Sequence, residues 1–495
     1  MSLINISNLN YSYDGSYDNV FENVSLNLDT NWRLGLIGRN GKGKTTFLKL
    51  LCGDLDCHGA ISSKVTFEYF PYEICDKSRT GIEIAYELYP DCEYWQIVRE
   101  LSLLDVDEEV LSRSFDSLSG GEQTKFMLAL LFLRPESFLL IDEPTNHLDV
   151  KARETVGRYL GRKKGFILVS HDRTLLDRCV DHILAINRST IELTHGNYSS
   201  WDENRKRRDQ FELAENERLK ADIKRLEAAA KRTADWSDRA ERRKIGFDPA
   251  KVEKSLDRRP TEGKKAQKMM DRAKAISRRR QAAAEEKSRL LKDVEIAQEL
   301  KISPLTYRSE RLIRLESVSL FYDDMQVCSD ISFTLSRGER VVLSGRNGCG
   351  KSSILKLIHG DTITYTGRLT KPSDLVISYV PQDASYLCGD LDSLAAEWGI
   401  DIPLFKAILR KLGFSREQFD KDMRDFSAGQ KKKTLIAASL SQKAHLYIWD
   451  EPLNYIDIFS REQIEQLISK FCPTMLLVEH DSRFAEKIDS KIIEI

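Results

Sequence analysis

GRNGKGKTT (Gly38–Thr46) is the stretch on which the fold turns, and GRNGCGKSS (Gly345–Ser353) repeats it later in the chain. Each follows a short apolar run, Leu34–Ile37 in the first case and Val341–Leu343 in the second. Glycines bracketing four residues, then Lys, then Thr or Ser, make a loop whose backbone N–H groups wrap a phosphate. The helix that follows turns its positive N-terminus toward the same anion. Lys44 and Lys351 are expected to reach β/γ-phosphate oxygens, and Thr45 and Ser352 to offer hydroxyls to Mg²⁺.

Working outward, three more motifs recur in the same order. SLSGGEQ (Ser117–Gln123) has its counterpart in DFSAGQK (Asp425–Lys431). FLLIDEPTNHLD (Phe138–Asp149) returns as LYIWDEPLNYID (Leu446–Asp457), and LVSHD (Leu168–Asp172) as LVEHD (Leu477–Asp481). The offset stays near-constant from Lys44/Lys351 through Glu143/Glu451 to His171/His480, which means a duplicated domain. Short, often β-branched apolar runs that end in motif turns suit buried parallel strands, so each copy reads as α/β. A chain of 495 residues is too long for one core. The expected units are a first ATPase domain at 1–200, a helical interdomain linker at 201–304 and a second ATPase domain at 305–495.

The chemistry follows from residue type and place. Asp142 and Asp450 end apolar runs and are expected to hold Mg²⁺ through its water shell. Glu143 and Glu451 come next, where a carboxylate polarises an attacking water. His171 and His480 follow the next strand, positioned to meet a γ-phosphate. A solvated acidic pair or a structural histidine would be the bland reading of any one copy; the repetition favours function.

A P-loop, then LSGGEQ, then an Asp-Glu strand end, then a late His resembles the ATP-binding-cassette (ABC) ATPases over nearly all of residues 1–200 and 310–495. The resemblance implies two ATP per chain with Mg²⁺, sandwiched head-to-tail. Gly38, Asn40, Gly41, Gly43 and Thr46 would line the first cradle, and Gly345, Asn347, Gly348, Gly350 and Ser353 the second. Ser119, Gly120 and Gly121 would cap the ATP of the second P-loop, and Ser427 and Gly429 that of the first. Tyr13 and Tyr322 fit the adenine-stacking aromatic, with Tyr17 a second choice in the first copy; His147–Asp149 and Tyr455–Asp457 fit the D-loops. Departures exist. Gln382 fits the Q-loop glutamine and metal ligand, whereas the first copy offers Tyr72, a poorer ligand. Ala428 replaces a signature glycine, and Cys349 sits inside the second P-loop. Two hydrolytic sites of unequal rate are expected.

The net charge of −1 hides an asymmetry. Residues 202–304 hold 30 Lys/Arg against 21 Asp/Glu, and 231–280 alone hold 18 against 8. Two long stretches, 197–245 and 264–303, lack Gly and Pro and flank a punctuated tip at 246–263, which predicts a helical hairpin. Leu219, Ile223, Leu226 and Ala230 on one arm, and Leu290, Val294 and Ala297 on the other, supply an apolar seam for a coiled coil. Charged helices are usually just solvated. The surplus at Arg242, Arg243, Lys244, Arg258, Arg259, Lys264 and Lys265 instead suits phosphate contacts with RNA.

Two cassettes with such a linker, entered through GNYSSW (Gly196–Trp201), resemble the ABC-F family, whose members act on ribosomes. The implied partner is the bacterial 70S ribosome, bound at the exit site with the hairpin toward the 23S rRNA and P-site tRNA. The opening SLINISNLNYSYDGSYDNVFENVS, FEYFPYE, KAQKMM (Lys265–Met270) and GQKKK (Gly429–Lys433) are similar to the Lsa-type antibiotic-resistance subgroup. That subgroup protects ribosomes against lincosamides, pleuromutilins and group A streptogramins. No arm insertion in the first cassette and no C-terminal extension are expected. The longest apolar run, Phe126–Leu133, is far short of the roughly 20 residues a spanning helix needs, and no secretory signal opens the chain. Nine scattered cysteines without a CxxC pair suit a reducing cytoplasm and neither a disulfide framework nor a zinc site. A monomer off the ribosome is expected. Alternatives are the ATPase subunit of an efflux transporter, a housekeeping translation factor, or a DNA-maintenance ATPase with a coiled-coil arm.

Overall fold

The computed structural model describes residues 2–495 apart from 14–18, 73, 135–136, 147, 188, 246–274, 277–278, 280–299 and 323–324. Its chain divides into two compact units, residues 1–201 with 297–495, and residues 202–296.

The first unit contains the repeat. In the first copy a six-stranded sheet runs in the order Thr66–Phe70, Ser137–Asp142, Phe166–Val169, Arg33–Ile37, His182–Asn187, Thr190–His195. All neighbours are parallel except the last pair. The second copy builds Ile377–Val380, Leu446–Asp450, Met475–Val478, Arg340–Ser344, Lys491–Glu494, parallel throughout. The apolar runs form these strands because helices and a second sheet cover both faces, so alternation is not needed. Phe166–Val169 and Leu446–Asp450 are buried at every position.

Strand order explains why distant motifs converge. The strand before each P-loop lies next to the strand before each late His, which in turn pairs with the strand ending in Asp142 or Asp450. Asp142 is opposite Val169, and Asp450 opposite Val478, so carboxylates, P-loops and histidines emerge together at the carboxyl ends of the strands. Each copy adds a three-stranded antiparallel sheet, Phe21–Asp29, Leu3–Tyr11, His58–Ser62 in the first and Met325–Ser336, Arg311–Tyr322, Thr364–Thr370 in the second. Each also adds a helical segment that ends in the signature helix, Gly120–Leu131 or Ala428–Ser441. Both signature helices start at a capping box, Ser119 with Glu122 and Ser427 with Gln430, read directly from S-x-x-E and S-x-x-Q.

The stretch free of Gly and Pro becomes one helix, Tyr198–Ile245, 48 residues and about 70 Å long at 1.5 Å per residue. Leu219 and Ile223 are half-buried. The side chains of Leu226 and Ala230, the predicted tip and the seam of the return arm lie outside the described residues, and so do Arg258, Arg259, Lys264 and Lys265. Arg242, Arg243 and Lys244 fall on the helix by their backbone alone. No described helix is long and apolar enough to cross a membrane.

Candidate functional site

Each P-loop is shaped by glycines that must be glycine. Gly43 and Gly350 stand before their helices at φ 90° and 93°, and a Cβ on Gly43 would lie 2.5 Å from Val20. Lys44 Nζ donates to Gly38 O (3.0 Å) and Asn40 Oδ1 (3.1 Å). Lys351 Nζ donates to Gly345 O (3.0 Å) and Arg346 O (2.7 Å), and lies 3.9 Å from Cys349 Sγ. Each ammonium thus spans its own loop, in the place where phosphate oxygens take over those bonds.

Tyr13 and Tyr322 are matched in position. Tyr13 OH is 2.6 Å from Thr46 Oγ1, and Tyr322 OH donates to Ser353 Oγ at 3.3 Å. Both rings are about half exposed, 50% and 45%, leaving a face free to stack. Tyr17 and His147 lie outside the described residues.

At the strand ends, Thr45 Oγ1 donates to Asp142 Oδ2 at 2.8 Å, the spacing at which one Mg²⁺ would draw on both. Asp450 is buried, and burial pushes its pKa up to about 6 although the facing Ser352 hydroxyl opposes the shift. A cation relieves that cost, so these donor sets fit Mg²⁺. Glu143 and Glu451 both adopt left-handed backbone, φ 50° and 44°, held by bonds from their N–H groups to Val169 O (2.9 Å) and Val478 O (3.0 Å). Strain of this kind, over-determined by the ladder, turns each carboxylate into the site. His171 Nε2 lies 3.3 Å from Glu143 Oε1, and His480 Nε2 lies 3.6 Å from Glu451 Oε1. Burial and the nearby Lys44 hold His171 well below the usual imidazole range, so it is neutral.

The two glutamates differ. Burial, then the charge of Asp142, pushes Glu143 up to about 8. Burial also raises Glu451, but the facing His480 and Gln382 side chains and the charge of Lys432 outweigh it, leaving about 2.

The composite arrangement is formed in trans. A cavity of about 970 Å³, of a size that holds a nucleotide, is lined by Gly348, Lys351, Ser352 and Gln382 of the second copy and Ser119, Gly120 and Gly121 of the first. Asn347, Gly350, Ser353, Glu451 and His480 line it too. On the other side the second signature touches the first P-loop. Asn40 Nδ2 donates to Tyr455 O at 2.6 Å, and a Cβ on Gly429 would lie 2.5 Å from Tyr455 O and 2.6 Å from Asn40 Nδ2. Ala428 beside it is exposed, which is why this departure from the signature is accommodated while Gly429 is not replaceable.

One residue stands apart from its expected place, and one buried lysine had none. Tyr72 does not face the first metal position; its hydroxyl pairs with Tyr89 and its ring packs on the core. The phenol that reaches Asp142 is Tyr69, whose OH donates to Oδ2 at 3.1 Å. The period of two along EYF was the signal, since Tyr69 and not Tyr72 shares a strand with the site. Lys432 is buried in the apolar part of its helix and donates to Pro381 O (2.8 Å), Gln382 O (3.0 Å) and Asp450 O (3.0 Å). It ties the Gln382 segment to the end of the strand Leu446–Asp450; in the sequence, GQKKK carries a family resemblance and assigns Lys432 no role of its own.

A family profile described as ABC transporter matches residues 21–146 and 328–454. The ribosome protection protein VmlR of Bacillus subtilis (strain 168) is 29% identical over 488 residues, spanning 93% of this chain and 81% of the relative. The energy-dependent translational throttle protein EttA of Haemophilus influenzae is 24% identical over 529 residues, spanning 95% and 88%. Among solved structures, the archaeal ribosome recycling factor aABCE1 in complex with the ribosomal stalk protein aP1 shares the fold at a TM-score of 0.64. That likeness has 19% identity and covers 98% of this chain and 87% of that one. With two cassettes matched and the strand-end chemistry in place, the chain is an ATPase that belongs to the ABC transporter family, as a twin-cassette member resembling the ABC-F proteins.

Proposed function

We propose that this ATPase binds two ATP with Mg²⁺, one in each composite site, and couples them to occupancy of the bacterial ribosome. The pairing of one copy's signature with the other copy's P-loop around a nucleotide-sized cavity carries the reading. On this reading residues 1–200 and 305–495 are the two cassettes, and 201–304 the linker. Thr45 and Asp142 hold the metal of the first site; Ser352, Gln382 and Asp450 hold that of the second. Bound there, Mg²⁺ would supply positive charge beside the phosphates. Glu143 and Glu451 accept the proton of the attacking water, while His171 and His480 orient the γ-phosphate. Ser119 and Gly120, or Ser427 and Gly429, stabilise charge from across the interface, so hydrolysis requires both cassettes, and its completion releases the chain from the ribosome.

The relative named a ribosome protection protein supports the target, as does the basic surplus of residues 202–304. The chain acts in the cytoplasm as a monomer that enters the ribosomal exit site with ATP. Its linker, through Arg242, Arg243, Lys244, Arg258, Arg259, Lys264 and Lys265, meets 23S rRNA and P-site tRNA. The rearrangement lifts inhibition by lincosamides, pleuromutilins and group A streptogramins. Chemical probing of rRNA on bacterial ribosomes incubated with the Glu143→Gln/Glu451→Gln chain and ATP tests this. Altered reactivity at the exit site and peptidyl-transferase centre is expected; an unchanged pattern returns the protein to the search for a membrane partner.

A further inference from the structure

One charged side chain of the first cassette is buried inside the second. Arg173 opens the helix that follows His171, two residues beyond the imidazole, and its side chain is 2% exposed. Its guanidinium grips both carboxylate oxygens of Glu465, with Nη1 at 3.2 Å, and Nη2 lies 3.4 Å from Asp481 Oδ2. Asp481 is the residue after His480, and its other oxygen caps the next helix through Phe484 N (3.1 Å). The same Asp481 Oδ2 takes Arg461 Nη1 at 3.4 Å, while Arg461 holds the carbonyl of Leu453 (2.7 Å) and that of Ile456 (2.9 Å) in the D-loop. Lys487 completes the cluster on Glu465 at 2.9 Å. A continuous polar chain therefore runs from the first His loop to the second, and on to the D-loop that touches Asn40.

The return connection is of another kind: Arg483 of the second copy's helix pairs with Asp177 on the first copy's helix, a partly exposed contact that does not reach Asp172 or His171. The position matching Arg173 in the second copy is Ser482. Asp172, which matches Asp481, faces Arg153 of its own cassette at 3.7 Å. A buried charge cannot leave its partners without large cost, so a shift of the first His loop must either carry the second loop along or strand Asp481 and Glu465.

We propose that Arg173 is a positioning residue, through which nucleotide at the first site sets the position of His480 and hence the turnover of the second. With γ-phosphate held by His171, Arg173 keeps Asp481 and the His480 loop seated. When the first site empties, the pull on Asp481 changes and His480 loses its place. This rests on the reading that both sites hydrolyse ATP.

The test uses the full chain and isolates second-site turnover in two ways. Glu143→Gln leaves the first site filled but inactive; Lys44→Ala leaves it empty. The ratio of the two rates is the coupling, and about tenfold is expected, within the range of allosteric effects. Adding Arg173→Gln to both should bring the ratio to about one, and Arg173→Lys should restore part of it. Glu465→Gln, placed on the opposite side, should lower the ratio as well, which keeps the test open if one variant folds poorly. A structural role alone would slow both rates together and preserve the ratio. A ratio unchanged by Arg173→Gln, or a ratio of one without it, overturns the proposal. Neither result touches ribosome binding, which the rRNA probing reads separately.

Discussion

The two nucleotide sites descend from one motif set and differ in how tightly they are closed. At the first, the P-loop meets the second cassette directly: Asn40 bonds the carbonyl of Tyr455, and its backbone N–H reaches Asp457 Oδ2 at 3.4 Å. Asp457 is fully buried against Lys433 at 2.6 Å, which helps to hold its carboxyl well below the usual range against the opposing effect of burial. At the second, the corresponding pair, Lys125 and Asp149, lines an open cavity. Repeating a sequence does not repeat an environment. Glu143 and Glu451 show it most plainly, one pushed up to about 8 and the other down to about 2.

The largest effect expected is loss of the bases themselves. Glu143→Gln with Glu451→Gln should lower steady-state ATPase by roughly 10²–10⁴-fold while leaving ATP binding intact. Loss of binding in parallel would recast both residues as structural. Next comes Gly429→Ala, which places a methyl against Tyr455 O and Asn40. It should weaken ATP at the first site by roughly 5–150-fold, the equivalent of the about 1–3 kcal/mol that overpacking costs. The mirror change Ala428→Gly should be nearly silent, and equal effects would erase the contrast between the signatures.

The pH dependence should separate the sites. A base works when deprotonated, so with Glu451→Gln the remaining first-site rate should climb about tenfold between pH 7 and 9. With Glu143→Gln the second-site rate should not climb over that range, because Glu451 is already ionised, and loss of the Lys432 charge, which burial lowers to about 8, should if anything reduce it. Superimposable profiles would contradict the difference in burial. Smaller still, Tyr69→Phe removes a bond that orients Asp142 and should raise the half-saturating Mg²⁺ of the first site by roughly tenfold or less. Tyr72→Phe should leave Mg²⁺ dependence alone and cost about 1 kcal/mol in thermal unfolding.

Much of this was legible in the sequence because the motifs are contiguous. Glycines, Lys44, Thr45 and Asp142 are fixed by local backbone demands, and a near-constant offset carries them to the second copy. FPY and VPQ share a position but not a direction, so Tyr72 turns to Tyr89 while the strand's alternation brings Tyr69 to Asp142. Arg173 and Lys432 were invisible for another reason. Both are charges buried by partners hundreds or tens of residues away, and a sequence shows the charge without the partner.

Binding stoichiometry bears most directly on the central claim that one chain holds two unequal ATP sites. Calorimetric titration of the Glu143→Gln/Glu451→Gln chain with ATP and Mg²⁺ should give two nucleotides per chain in two resolvable steps, the tighter one lost with Lys44→Ala. One nucleotide per chain, or two identical steps, would contradict it.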